Sequence, residues 1–190
     1  MPQSAFKHAF LIGLGSFFLA IVLSLVSQSL LTAIKSIIPA LILLLIIIFL
    51  GILFDIIGTA VTKASTGPFH AKASRKIAGA KESVMLVNHA DKVASFCNDV
   101  VGDISGTLSG AIGAAIVLRL VQDGFGGSEV LLSTLMTASI AGLTIGGKGL
   151  GKNYALREAE TIIFKVGQII AFFTDKRYGV QYRHAPKRGK

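Results

Sequence analysis

Tryptophan is absent from the 190 residues, cysteine occurs once and proline four times. The lone Cys97 excludes an intrachain disulfide and any metal site built from several thiolates. Charge is scarce too, with 10 Asp and Glu against 19 Lys and Arg, so the chain carries a formal excess of nine positive charges. A hydrolase elbow, a phosphate loop, an HExxH pair and a Cys–His arrangement are all missing, so enzymatic activity is not expected. The run "GLTIGGKGLG" misses the phosphate-loop spacing and closes an apolar segment, which points to helix packing or a helix end. His70 and His89 read as surface residues of a polar loop, and His8 and His184 fall in basic termini.

Apolar length is what the chain has in abundance. Residues 10–31 form 22 positions without a charge, and 36–54 form another 19 dominated by Leu and Ile. A helix rises about 1.5 Å per residue against roughly 30 Å of hydrocarbon, so such runs span a bilayer. Residues 93–121 are long enough but contain Asp99, Asp103 and Arg119. Residues 130–145 are uncharged and reach spanning length with "GGKGLG"; their Thr and Ser can bond their own helix backbone. The expected fold is therefore an all-α membrane protein with four transmembrane helices, cytoplasmic loop helices and an amphipathic juxtamembrane helix. A cleaved signal peptide is not expected, because the first apolar run exceeds a usual h-region.

Loop charge gives an orientation. Residues 61–93 carry a net +4 and residues 148–190 a net +7, whereas the short connection "QDGFGGSE" is acidic. Positive loops stay inside, which places both termini and the middle loop in the cytoplasm of a multi-pass cell-membrane protein and leaves Lys35 outside. The basic tail suits anionic lipid, and no base-reading motif suggests nucleic acid. In the middle loop, Pro68 is placed to start a helix and an Ala-rich stretch follows, interrupted near Gly79. Later, Ile162, Ile163, Val166, Ile169, Ile170 and Phe173 share a broad face, predicting an amphipathic helix lying on the inner membrane surface.

The carboxylates inside the spans need an explanation. Asp99 and Asp103 are four apart, hence on one face of an ideal helix, with Gly102, Gly106, Gly110, Gly113, Ser105 and Ser109 nearly alongside. Small residues admit another helix closely, so this acidic face is expected to be packed inside the bundle. Asp99 should lie about 9 Å from the inner surface, Asp103 about 15 Å, and Asp55 of the second span about 9 Å. Asp55, Asn98 and Asp99 would then meet at one level, with Thr59 beside them. An ionised carboxylate in hydrocarbon needs a counter-charge or a proton. Three candidates stand: a divalent cation held by hard oxygen ligands, the Lys148 ammonium in a structural salt bridge, or protons shared by coupled aspartates.

The order of "FDIIGTAV" (54–61), a helical loop, "FCNDVVGD" (96–103) and "GKGLGKNYA" (147–155) resembles the transmembrane domain of the CNNM/CorB–CorC family, associated with magnesium and cobalt transport or efflux. The resemblance covers roughly residues 41–173. It implies a homodimer of three-span domains with a juxtamembrane helix and a cation site lined by polar side chains of the first two patterns. Those patterns read "F-F-S-x-S-E-x-A-L" and "I-G-N-N-L-V-N", and the third ends in "G-E-x-x-P-K-x-x-A". Asp55 falls where the family has a serine, Gly58 where it has its glutamate, and Asn98 and Asp99 on the paired asparagines. Lys148 replaces the glutamate of the third pattern and Gly151 its proline. No CBS pair is expected here, nor the nucleotide-dependent regulation tied to one.

The division that follows is 1–35 as an amino-terminal segment with an additional transmembrane helix, 36–173 as the CNNM-like domain and 174–190 as a basic tail. The expected ligands for Mg2+ are Asp55, Asn98 and Asp99, with Asp103 extending the path and Thr59 as auxiliary. The alternative is a non-transporting scaffold or accessory subunit whose aspartates pair with Lys148.

Overall fold

The computed structural model describes residues 3–33 and 36–178, and every regular element among them is a helix. Lys35 and residues 179–190, most of the expected basic tail, lie outside the described residues. The first helix, α1 (Gln3–Ala33), is followed by α2 (Ile37–Lys63), whose Pro39 sits in the first turn, where a missing N–H leaves no helix bond unmade. Two short helices come next, α3 (Gly67–Ser74) and α4 (Ala80–Asn88), with Pro68 opening the former and left-handed Gly79 preceding the latter. Then α5 (Ala90–Ser95) runs through a π-helical segment, Phe96–Gly102, into α6 (Asp103–Gln122). A turn with Gly124 at φ 77° leads to α7 (Glu129–Arg157), and α8 (Ala159–Tyr178) follows almost at once.

Three helical stretches are long and apolar enough to cross a membrane: α2, the continuous run Ala90–Gln122, and α7. Within α1 the apolar stretch found among the described residues, Gly13–Ser29, is shorter. The bundle packs by interlocking small and branched residues. Ala40, Leu44 and Ile48 of α2 meet Ile112 and Ile116 of α6 and Ile140 of α7. A methyl group added at Gly51 would stand 2.9 Å from Ser105 Cβ, and one at Gly151 2.7 Å from Ile56. Such close approaches supply the dispersion contacts that hold helices together where the surroundings are as apolar as the side chains. Two hydroxyls of α7 turn to their own backbone, as expected, Thr134 donating to Val130 O and Ser139 to Leu135 O, and in α6 Ser109 donates to Ser105 O, each at 2.7 Å.

A second core lies at the end of the bundle where α2 and α7 finish. Ala60, Val61 and Ala64 pack there against Phe69, Leu86, Ala159, Ile162 and Ile163. This corrects the expectation for α8. Its first half does not offer its apolar face to lipid, because Ile162 and Ile163 are buried and Val166 and Ile170 partly so against α2 and α4. Tertiary partners took the stripe that periodicity alone assigned to the bilayer. The hinge of this core is tight: a methyl at Gly79, already at φ 85°, would meet the Gln168 backbone at 2.6 Å, and Ser83 donates to Gly79 O at 2.7 Å.

The face of α6 also differs from expectation. Asp99 and Asp103 are exposed, and nothing lies within 4 Å of a methyl placed at Gly106 or Gly110. Gly102, Ser109 and Gly113 are the buried members of the supposed stripe. Asp99, Asp103, Gly106 and Gly110 do share one side of the helix, but it is the open side, and Gly102, Ser109 and Gly113 occupy the neighbouring packed side. Spacing decides which residues share a face and leaves open which way that face turns.

Candidate intramembrane cation site

One polar node forms where α2, the π segment and α7 meet. Asp55 on α2 is buried, and Lys148 Nζ on α7 stands 3.5 Å from its Oδ1. The same ammonium lies over Gly102, 3.4 Å from where a side chain there would begin. One turn beyond Asp55 on α2, Gly58 leaves room for the Asn98 amide, which would collide with any Cβ at that position. Thr144 stands one turn before Lys148 on α7 and so shares its face. Three elements thus contribute one acid, one base, one amide and one hydroxyl.

Satisfaction within the node is incomplete. Asp55 Oδ2, Asn98 Oδ1 and Thr144 Oγ1 are buried and have no hydrogen-bond partner. The Lys148–Asp55 separation also exceeds the roughly 2.7–2.9 Å of a tight charge-assisted hydrogen bond. Each buried oxygen without a partner costs about 1–3 kcal/mol, so three together call for a ligand, a water or a shift of the amine.

The expected ligand set is therefore only partly assembled. Asp55 and Asn98 come to adjoining turns, as does Lys148. Asp99 is exposed and accepts a 2.6 Å hydrogen bond from Ser95 Oγ, four residues back on its own helical run. Asp103 is exposed, and its backbone carbonyl accepts from Thr107 Oγ1 at 3.0 Å. Thr59 is half-buried, and its carbonyl accepts from Thr62 Oγ1 at 2.8 Å. Asp99 and Asp103 lie on the exposed side of their helix and do not join the buried Asp55. Among the described residues no three His, Cys, Asp or Glu side chains come together as a metal cluster. His89, exposed, places Nδ1 2.9 Å from Met85 O.

Sequence reasoning missed Thr144 and the role of Gly58. Both stand at readable offsets, Thr144 four before Lys148 and Gly58 three after Asp55. What made them matter, the approach of three helices, has no local signal.

Fold and node together define a helical protein with three stretches able to cross a membrane and an ion pair between a buried Asp55 and a half-buried Lys148. Compared with known proteins, the chain matches no protein-family model, no curated protein and no solved structure.

Proposed function

We propose that the chain is a CNNM/CorB-like membrane protein that binds or transports a divalent cation, Mg2+ first and Co2+ as the alternative, at the Asp55–Asn98–Lys148 node. The observation that carries this reading is the set of buried oxygens without partners on Asp55, Asn98 and Thr144, with the Lys148 ammonium 3.5 Å from the other oxygen of Asp55. Carboxylate, amide and hydroxyl oxygens are the hard donors such ions prefer. In this reading the ammonium holds the cation's place, and entry of an ion requires the lysine to swing away from Asp55. Gly102, which leaves that ammonium unobstructed, gives it room to move. Asp99 and Asp103 then serve as part of an approach path, not as ligands.

Four spans with cytoplasmic termini, the additional one from α1, complete the topology in this reading. A second copy would cover the face of α6 that holds Asp103, Gly106 and Gly110, since a carboxylate at that depth is costly against lipid. The resembled family's homodimer fits that need.

Isothermal titration of the purified protein with Mg2+, Mn2+ and Co2+ tests the proposal. Asp55→Asn should abolish binding, and Lys148→Met should tighten it by removing the internal competitor. No heat from any ion in any of the three proteins would end the cation reading.

A second reading is favoured by the ion pair itself. Lys148 and Asp55 at 3.5 Å already neutralise one another, as a clamp between α2 and α7 in a non-transporting scaffold or accessory subunit would require. In that case Lys148→Met loses folded protein and no variant responds to cations.

A further inference from the structure

The distal part of α8 has no role in the intramembrane node. Past Gln168, where Gly79 abuts its backbone, the helix continues beyond the start of α4. On this tip Ile169 and Phe173 are 56% and 66% exposed, and Phe172 meets Phe173 edge-on with centroids 5.7 Å apart. Ile77, two residues before Gly79 and 42% exposed, adjoins the same place.

The turn that carries Ile77 is cationic. Residues 67–79 contain Lys72, Arg75 and Lys76 and no carboxylate. Lys72 Nζ sits 3.8 Å above the Phe164 ring, which fixes α3 against α8. Arg75 and Lys76 are exposed and form no ion pair among the described residues. Lys76 adopts φ 56°, with Ile77 N donating to Lys72 O at 3.1 Å and Lys76 N to Ala73 O at 2.9 Å. This is the helix-ending motif that usually employs glycine, and a left-handed lysine costs about 1–2 kcal/mol. The turn thus keeps a charged side chain beside the apolar tip at a cost in stability.

We propose that this tip, Ile77, Ile169 and Phe173 with Arg75 and Lys76 at its rim, docks into an anionic lipid surface. An apolar, aromatic patch fringed by cations matches the boundary between acyl chains and acidic headgroups. The unit bearing it begins two residues after the end of α7 and packs on the last turn of α2, so it is anchored where two membrane-crossing helices finish. The fifteen residues from Ala159 to Phe173 extend about 21 Å from that anchor. A leaflet is therefore the nearest large partner of the right charge.

Because the chain has no tryptophan, Phe173→Trp gives it a single indole. Reconstituted in vesicles of phosphatidylcholine with phosphatidylglycerol, it should emit at shorter wavelength than in phosphatidylcholine alone and be quenched by headgroup-proximal brominated lipid. Adding Arg75→Gln and Lys76→Gln should remove much of both effects. Ile169→Trp supplies a second probe should the first variant fold poorly. Emission of a water-exposed indole in both vesicles, or a blue shift indifferent to phosphatidylglycerol, would overturn the proposal. So would a blue shift that follows protein density and ignores brominated lipid, which would mean a second copy covers the tip.

Discussion

Asp55 and Asp103 are the same residue type, both in stretches able to cross a membrane, yet their surroundings are opposite. Asp55 is buried with an ammonium 3.5 Å away, in a corner closed by three helices. Asp103 stands exposed on a face with open space at Gly106 and Gly110. The difference shows that lying in an apolar stretch does not decide whether an acid is neutralised inside its own chain. The side of the helix it occupies does.

Five substitutions would sharpen or break this comparison. The largest effect should come from Lys148→Met, which leaves Asp55 buried without its counter-charge. Denaturant unfolding in micelles with a chelator should show a loss of about 3 kcal/mol, which added Mg2+ offsets if the node binds cations and leaves unchanged if the pair is only a clamp. The double change Asp55→Asn with Lys148→Met should recover most of it, because the two terms are coupled. If the single and double variants were equally unstable, the pair would not be what neutralises Asp55.

Gly58→Ala comes next. A methyl there collides with the Asn98 amide, and forcing the π segment away should lower stability by about 2 kcal/mol. A wild-type melting temperature would mean that Asn98 does not rest on Gly58. Asp99→Asn should cost about 1 kcal/mol or less, since only the charged character of the bond from Ser95 is lost. Asp103→Asn closes the series, with a change within about 0.5 kcal/mol in dilute micelles. Measured in bilayers at high protein density, the same variant should shift the monomer–dimer balance seen by single-molecule photobleaching. An unchanged balance would detach Asp103 from any contact between copies.

Much of the fold was legible from composition and run length. The uncharged stretches of α2 and α7 have no other stable home than a helix in hydrocarbon, and Pro68 and Gly79 mark the short helices between them. The apolar positions of α8 were legible as a stripe, but what the stripe covers was not. Ile162 and Ile163 look alike whether they face lipid or Leu86 and Val61. The candidate site was legible in half. Asp55, Asn98 and Lys148 stand out as polar residues in apolar runs, and salt-bridge pairing with Lys148 was among the expectations. Asp99 and Asp103 stood out equally and are exposed, since spacing along one helix gives which residues share a face and not which way that face turns.

What the sequence by itself determined is that long helices form and that some must cross a membrane, because backbone groups in hydrocarbon have to bond within their own helix. It also determined that a few charges are carried in with them. Only the tertiary structure decided which charge meets which. Partner choice depends on the rotation of each helix about its axis, and that is set by packing of small against branched side chains from distant parts of the chain.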